Sequence, residues 1–440
     1  MSDWSIDGLT VTNFRCFKNL TIGFDPQCTV LVGDNGSGKT AVLEAITIML
    51  STVTAAFDGD RRGIGTSDAM QVPIGLGSIY QVAHMEDRYP VEIMAAAHLA
   101  GVECDWERGR PKRTSHTSWR SNDAARVAES IKDEARSDAN GAVLPVLAYF
   151  GIDRLQERRN QGALVPTRFG VYQSCLDSHS DTRRLSDLLV DLNLAIVQAE
   201  TKGGPDPVAA RLQLEALDLA CESMLRPTGW KDLRVQSRDL GGLTLRHDDY
   251  GILPITNLAA GIRITALLAL DIASRAARAN PSLGAEELLG TVPGVVLIDE
   301  IDLHLHPKWQ KQILDLLLST FPSMQFIVTT HSPLVLSTRP PSQIRDLGHV
   351  IDGVVQQPRF ARGLGPEVIL RDILDTEPLP TGTAERTKLS EYVELVNMGA
   401  GTGDSARRLR EELERFLGDA GVVREFAEAD ARVLFDDLPE

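Results

Sequence analysis

The stretch "CTVLVGDNGSGKTAVLEAITIML", residues 28–50, sets a short apolar run, a glycine-rich loop and a second apolar segment in succession. "CTVLV" reads as a buried strand and "AVLEAITIML" as a helix. Between them, "GDNGSGKT" satisfies G-x-x-x-x-G-K-[ST] with Gly33, Gly38, Lys39 and Thr40. Glycines at those places let main-chain N–H groups turn inward around phosphate oxygens, at the positive end of the following helix. Lys39 adds a point charge, and Thr40 offers a hydroxyl oxygen to Mg²⁺. A strand before and a helix after are the context this phosphate-binding loop requires. Asn35 and Gly36 make the narrower variant G-x-N-G-x-G-K-T, and Ser37 completes the candidate nucleotide-binding loop.

A second dense stretch, "IDEIDLHLHP" (298–307), packs Asp299, Glu300, Asp302, His304 and His306 together, as a metal hydrolase would. The preceding residues decide the reading. "GVVLIDE" (294–300) is an apolar strand ending in two carboxylates, the form of a Walker B. There the first carboxylate, Asp299, holds Mg²⁺ and the second, Glu300, orients and deprotonates the attacking water. Pro307 suits the first position of a helix, with Trp309, Ile313, Leu316 and Leu317 as its buried stripe, so "DLHLH" is a loop at a helix start. Two imidazoles with no cysteine nearby fall short of the four ligands of a closed zinc site. His331, in "QFIVTTHSP" (325–333), stands at the carboxyl tip of a further apolar strand, where ligands bind in parallel sheets and where it can reach a γ-phosphate. "NLAAGIR" (257–263) opens a long apolar helix, whose N-terminal Gly261 exposes N–H groups to an anion.

Strands alternating with helices predict an α/β fold with a mostly parallel sheet. "IDGLTVTNFRCFKNLTIGF" (6–24) and "YPVEIMAAAHLAGVECDW" (89–106) read as added antiparallel strands, and 232–249 as a hairpin turning at Gly241 and Gly242. The expected divisions are an N-terminal lobe over 1–154, a leucine-periodic helical insertion over 155–227, a third lobe over 228–380 and an acidic helical tail over 384–440.

A net charge of −16 disfavours a chain that coats nucleic acid everywhere, but leaves room for a local basic groove. Two stretches qualify: 106–120, with Arg108, Arg110, Lys112, Arg113 and Arg120, and 153–162, with Arg154, Arg158 and Arg159. A solvated loop is the competing reading of both. Five scattered cysteines without a C-x-x-C pair indicate neither a disulfide framework nor structural zinc. No apolar run of membrane-spanning length is evident and the start has no signal-peptide pattern, so a cytoplasmic protein without a membrane partner is expected.

Taken together, "TNFRCF", "GDNGSGKT", the helix after "NLAAG", "LIDEIDLHLHP" and "TTHSP" resemble the ABC-type ATPase heads of the SMC, RecF and OLD group. "LAYFGIDR" (147–154), "TRFGVYQSCLD" (167–177), "GWKDLRV" (229–235) and the helical tail look more closely like the stand-alone anti-phage ATPases, the Septu-type PtuA and retron-associated relatives. The resemblance implies a P-loop ABC-type head that binds ATP with Mg²⁺ and pairs head to tail with another copy, as a homodimer or a higher even-numbered oligomer. It places Lys39, Thr40, Asp299, Glu300 and His331 on one copy's nucleotide, with Arg15 nearby. Gly261 and Arg263 of the signature and Asp302 of the D-loop act in trans. It further implies a sensor or regulatory role beside a separate effector, an HNH nuclease or a retron component.

Departures from the pattern matter too. The signature usually reads "LSDG", whereas this chain has "LAAG" (258–261), so Ala259 removes a hydroxyl donor from the γ-phosphate. One lost donor at a phosphate costs roughly 10²-fold or more in rate, which predicts slow turnover. Tyr149, Arg154 and Gln156 are the Q-loop candidates. Two rival readings stay open: a RecF-like DNA repair ATPase, and an ATP-binding scaffold with negligible turnover. A transporter subunit is disfavoured because "LSGGQ" is absent.

Overall fold

Four uncharged runs, Cys28–Val32, Val146–Phe150, Gly294–Ile298 and Met324–Thr329, form strands in which every residue is buried. Strands covered on both faces by helices need that composition. The computed structural model describes residues 3–74, 84–119, 122–137, 142–154, 167–178, 182–202, 207–236, 242–376, 384–398, 400–401 and 403–421.

In chain order the strands are β1 (Trp4–Phe14), β2 (Phe17–Gly23), β3 (Cys28–Val32), β4 (Gln71–Ile74), β5 (His84–Asp87), β6 (Val91–Leu99), β7 (Val102–Arg110), β8 (Ser118–Trp119), β9 (Val146–Phe150), β10 (Lys231–Val235), β11 (Leu243–His247), β12 (Gly251–Pro254), β13 (Gly294–Ile298), β14 (Met324–Thr329), β15 (Ile344–Ile351) and β16 (Val354–Gln356). The helices are α1 (Lys39–Ala56), α2 (Asp123–Ser137), α3 (Thr182–Lys202), α4 (Val208–Leu225), α5 (Ala260–Ala279), α6 (Ala285–Thr291), α7 (Pro307–Gln310), α8 (Ile313–Thr320), α9 (Pro333–Leu336), α10 (Pro366–Asp372), α11 (Ala384–Asn397) and α12 (Asp404–Gly421).

Among the described residues, eleven strands make one mixed sheet in the order β8-β7-β6-β1-β2-β16-β15-β3-β14-β13-β9. β15, β3, β14, β13 and β9 run parallel. β2, β1, β6, β7 and β8 form an antiparallel wing. The fold is therefore α/β with antiparallel strands added, as the sequence predicts. Pairing sets Ile298 level with both Val328 and Phe150, and Thr329 level with Leu31. The residues after β3, β13 and β14 thus emerge side by side at one edge, the carboxyl edge where parallel sheets place ligands.

Helix α1 leaves that edge and runs through the core. By length and hydropathy it is apolar enough to cross a membrane, with a mean hydropathy of 1.3 over 18 residues, yet 78% of it is buried inside the protein. The expectation that no run reaches that length is corrected. The reason is that a central helix covered on all sides needs the same composition as a membrane span.

Other expectations shift as well. The helix expected to start at Pro307 and run past Leu317 is interrupted, giving α7 and α8. β12 pairs with β11 beyond the expected hairpin, making a three-stranded sheet; Gly241, assigned to its turn, lies outside the described residues. The chain divides into two units, Met1–Ile369 and Leu370–Glu440, with one break between them. Within the first unit the helices after 182 join the main body: Ser223 Oγ bonds Thr320 Oγ1 at 2.7 Å, and Leu233 N–H donates to Asp218 Oδ1 at 2.7 Å. In the second unit, α11 and α12 enclose Tyr392, Val396, Ala406 and Leu413.

Gly294 at the head of β13 shows how tightly the parallel strands approach, since a Cβ there would press on the main chain of Val146 in β9. Gly294→Ala is expected to destabilise the protein by about 1–3 kcal/mol, because the backbone must shift to make room. A lowered midpoint in urea unfolding checks this, and an unchanged midpoint would show that the strands yield freely.

Candidate functional site

Gly33, Gly36 and Gly38 all have positive φ, at 140°, 84° and 94°. Two of them also lack room for a side chain. A Cβ on Gly33 would lie 2.8 Å from Ser37 Oγ, and one on Gly38 would collide with Cys16 and the Phe17 ring. The loop therefore curls back on itself immediately before Lys39, the first residue of α1. The Lys39 ammonium donates to the carbonyls of Gly33 at 2.7 Å and Asp34 at 2.9 Å, spanning the loop that it closes. Burial holds its pKa below the usual lysine value, against the opposing charges of Asp299, Asp34 and Glu300. Ser37 Oγ is buried without a hydrogen-bond partner among the described residues. Asn35 and Gly36 are exposed at the loop tip.

Asp299 joins this loop to the acidic stretch. Thr40 Oγ1 donates to Asp299 Oδ2 at 2.8 Å, and Thr329 Oγ1 donates to Asp299 Oδ1 at 2.6 Å. Thr329 lies on β14, between β3 and β13, which is why it can reach across. Its Oγ1 also accepts the Glu300 N–H at 2.7 Å, and its carbonyl accepts the Ile301 N–H at 3.0 Å. Glu300 itself has φ of 48°, a left-handed conformation for a residue with a side chain. Such a conformation costs about 1–3 kcal/mol and persists only where surrounding bonds enforce it.

The remaining predicted residues spread along the same edge. Arg15 has its guanidinium ion-paired with Glu44, on the first turns of α1, and with Asp68 at 3.0 Å. Since Cys16 and Phe17 pack on Gly38, Arg15 flanks the loop, held by those carboxylates. Asp302 accepts from Thr330 Oγ1, and His331 is exposed just past β14. Gly261 and Arg263 open α5, with Ala259 at its N-cap making no side-chain hydrogen bond. A Cβ on Gly261 would lie 2.8 Å from the His304 carbonyl, so the signature turn abuts the "DLHLH" loop of the same chain. Arg263 Nε is buried and unpartnered among the described residues. His306 caps α7, its Nδ1 accepting the Lys308 N–H at 3.3 Å, with Pro307 at the first helical position as its sequence implied.

The basic stretches are largely spent inside the protein. Arg108 is 4% exposed, donating to Ile48 O and Ser51 Oγ, and burial lowers its pKa to about 10. Arg110 donates to the carbonyls of Ile64 and Arg113. Lys112 and Arg113 remain exposed. Arg154 is buried beneath the Walker B turn, donating to the carbonyls of Asp299 and Glu300. Gln156, Arg120, Arg158 and Arg159 lie outside the described residues. The sequence reading passed over Thr329; it left Arg154 open between a basic groove, a solvated loop and a Q-loop position, and the structure places it inside.

A P-loop after β3 and a Walker B turn after β13, with β14 between them at the same edge of such a sheet, define an ATPase head of the AAA/ABC type. Two family models match the chain: "AAA domain, putative AbiEii toxin, Type IV TA system" over residues 104–337, and "AAA ATPase domain" over residues 5–92. The first spans more than half of the chain, which belongs to that AAA domain family. The chain is 25% identical over 490 aligned residues to the Retron Ec83 probable ATPase of Escherichia coli, covering 97% of this chain and 86% of that one. It is 38% identical over 109 residues to the Septu protein PtuA of Bacillus thuringiensis, covering 23% of this chain and 26% of that one. Among solved structures, an SMC head bound to the C-winged helix domain of ScpA matches with a TM-score of 0.46 and 17% identity, over 80% of this chain and 97% of that one.

Thr329→Val keeps the shape of β14 but strips a donor from Asp299 and an acceptor from Glu300. With both groups left short of partners in the interior, stability should fall by about 1–3 kcal/mol. The urea midpoint should drop while the slope of the transition stays constant; an unaltered midpoint would mean that the two bonds carry no net stability.

Proposed function

We propose that this chain binds Mg-ATP between residues 33–40 and the Asp299–Glu300 turn and hydrolyses it slowly, as the regulatory ATPase of an anti-phage defence complex. The 2.8 Å bond from Thr40 to Asp299 carries this reading, because it sets the two halves of a phosphate and metal site against each other. Hard oxygen donors from a hydroxyl and a carboxylate suit Mg²⁺, which supplies charge neutralisation at the β- and γ-phosphates when bound. Lys39 then exchanges its carbonyl partners for phosphate oxygens, and the loop N–H groups turn toward the same atoms. Glu300 orients water for in-line attack and accepts its proton. His331, exposed just past the neighbouring strand end, is the candidate for contact with the γ-phosphate.

Gly261 abuts the "DLHLH" loop that carries Asp302, and Arg263 follows it in the first turn of α5, an arrangement that suits closure on the nucleotide of a second copy. Ala259 offers no hydroxyl to that nucleotide, consistent with slow turnover. The effector is a separate protein, an HNH nuclease or a retron component, in keeping with relatives named for retron and Septu systems.

Lys39→Ala should abolish the heat of Mg-ATP binding in calorimetry. Glu300→Gln should preserve binding while slowing single-turnover hydrolysis by about 10²–10⁴-fold. Equal, near-zero rates for wild type and Glu300→Gln would instead identify an ATP-binding scaffold.

A further inference from the structure

We infer that Arg154 is a positioning residue for hydrolysis, holding the turn that aims Glu300. The guanidinium is 4% exposed and reaches three main-chain carbonyls: Asp299 at 2.7 Å, Glu300 at 2.8 Å and Gly151 at 3.2 Å. The first two belong to the Walker B turn, the third to the segment that leads to Arg154 itself.

The reason lies in the end of the sheet. β9 is the edge neighbour of β13, and their ladder ends where the Asp299 N–H donates to Phe150 O at 2.8 Å. Beyond Phe150 the chain turns away, so the next carbonyls of the Walker B segment lose a strand partner. Arg154, four residues past Phe150, returns to satisfy them with a rigid planar fork that spans two successive carbonyls. On the opposite side Thr329 holds the N–H groups of Glu300 and Ile301. The left-handed Glu300 backbone is thus fixed on both its amide and its carbonyl side.

Arg154 donates to main-chain atoms of this turn, so its loss should alter the placement of Glu300 more than the affinity for nucleotide. A lysine at this position keeps the charge but offers a point donor that cannot bridge both carbonyls in plane.

The inference rests on the ATPase reading above, and the test separates the two. Wild type, Arg154→Lys, Glu300→Gln and the double variant are compared for Mg-ATP affinity by calorimetry, single-turnover rate and melting temperature. Arg154→Lys should retain affinity while its rate falls about 10–100-fold, the penalty of a misplaced catalytic group. Adding it to Glu300→Gln should cost nothing further, because residues acting as a unit are non-additive. Parallel loss of affinity and rate, or a full multiplicative loss in the double variant, would assign Arg154 a merely structural role. A wild-type rate in Arg154→Lys overturns this inference alone, whereas a wild type without turnover overturns the ATPase reading and this one with it. Should Arg154→Lys fail to fold, Arg154→Gln, a neutral planar donor, takes the same measurements with the same outcomes.

Discussion

The carboxylate of Asp299 is the constraint around which the carboxyl edge of the sheet is arranged. It is 3% exposed, so both oxygens must be satisfied or the buried charge becomes costly. One oxygen takes a hydroxyl from Thr40, 259 residues away in sequence, and the other takes one from Thr329, 30 residues away. A single side chain therefore draws together the phosphate loop, the acidic turn and the strand that leads to His331. The parallel register makes this geometry available.

Several buried or half-buried arginines do comparable work elsewhere. Arg108 ties β7 to α1 through Ile48 O, Arg168 bonds the carbonyls of Ala142 and Ala279, and Arg345 bonds those of Gly23 and Ser342. In each case a guanidinium donates to main-chain carbonyls, a task suited to a planar group with five donors. Burial depresses the pKa of Arg108, Arg154, Arg168 and Arg345 alike. A strongly acidic chain thus keeps several of its cations inside, and stretches that look like a basic groove in sequence are partly internal scaffolding.

Much of the fold was legible because its signals are local. The phosphate loop carries its own glycine and lysine spacing, the Walker B strand is an uncharged run closed by two carboxylates, and Pro307 announces its helix. What escaped reading was either cooperative or compositional. The split between α7 and α8 and the third strand β12 depend on packing partners. The resemblance of α1 to a membrane span arises because a core helix and a membrane helix meet similarly apolar surroundings.

By itself, then, the sequence determined which residues have the chemistry for a nucleotide site and which strands and helices carry them, since strand, turn and helix preferences act over a few neighbouring residues. Only the tertiary structure decided that Thr329 lies between the two motifs, that Arg154 turns inward beneath Glu300, and that Arg108 is buried. Those outcomes depend on which strand ends become neighbours and which carbonyls lose their partners there. No local pattern encodes that information, because it arises only when the sheet has closed its order.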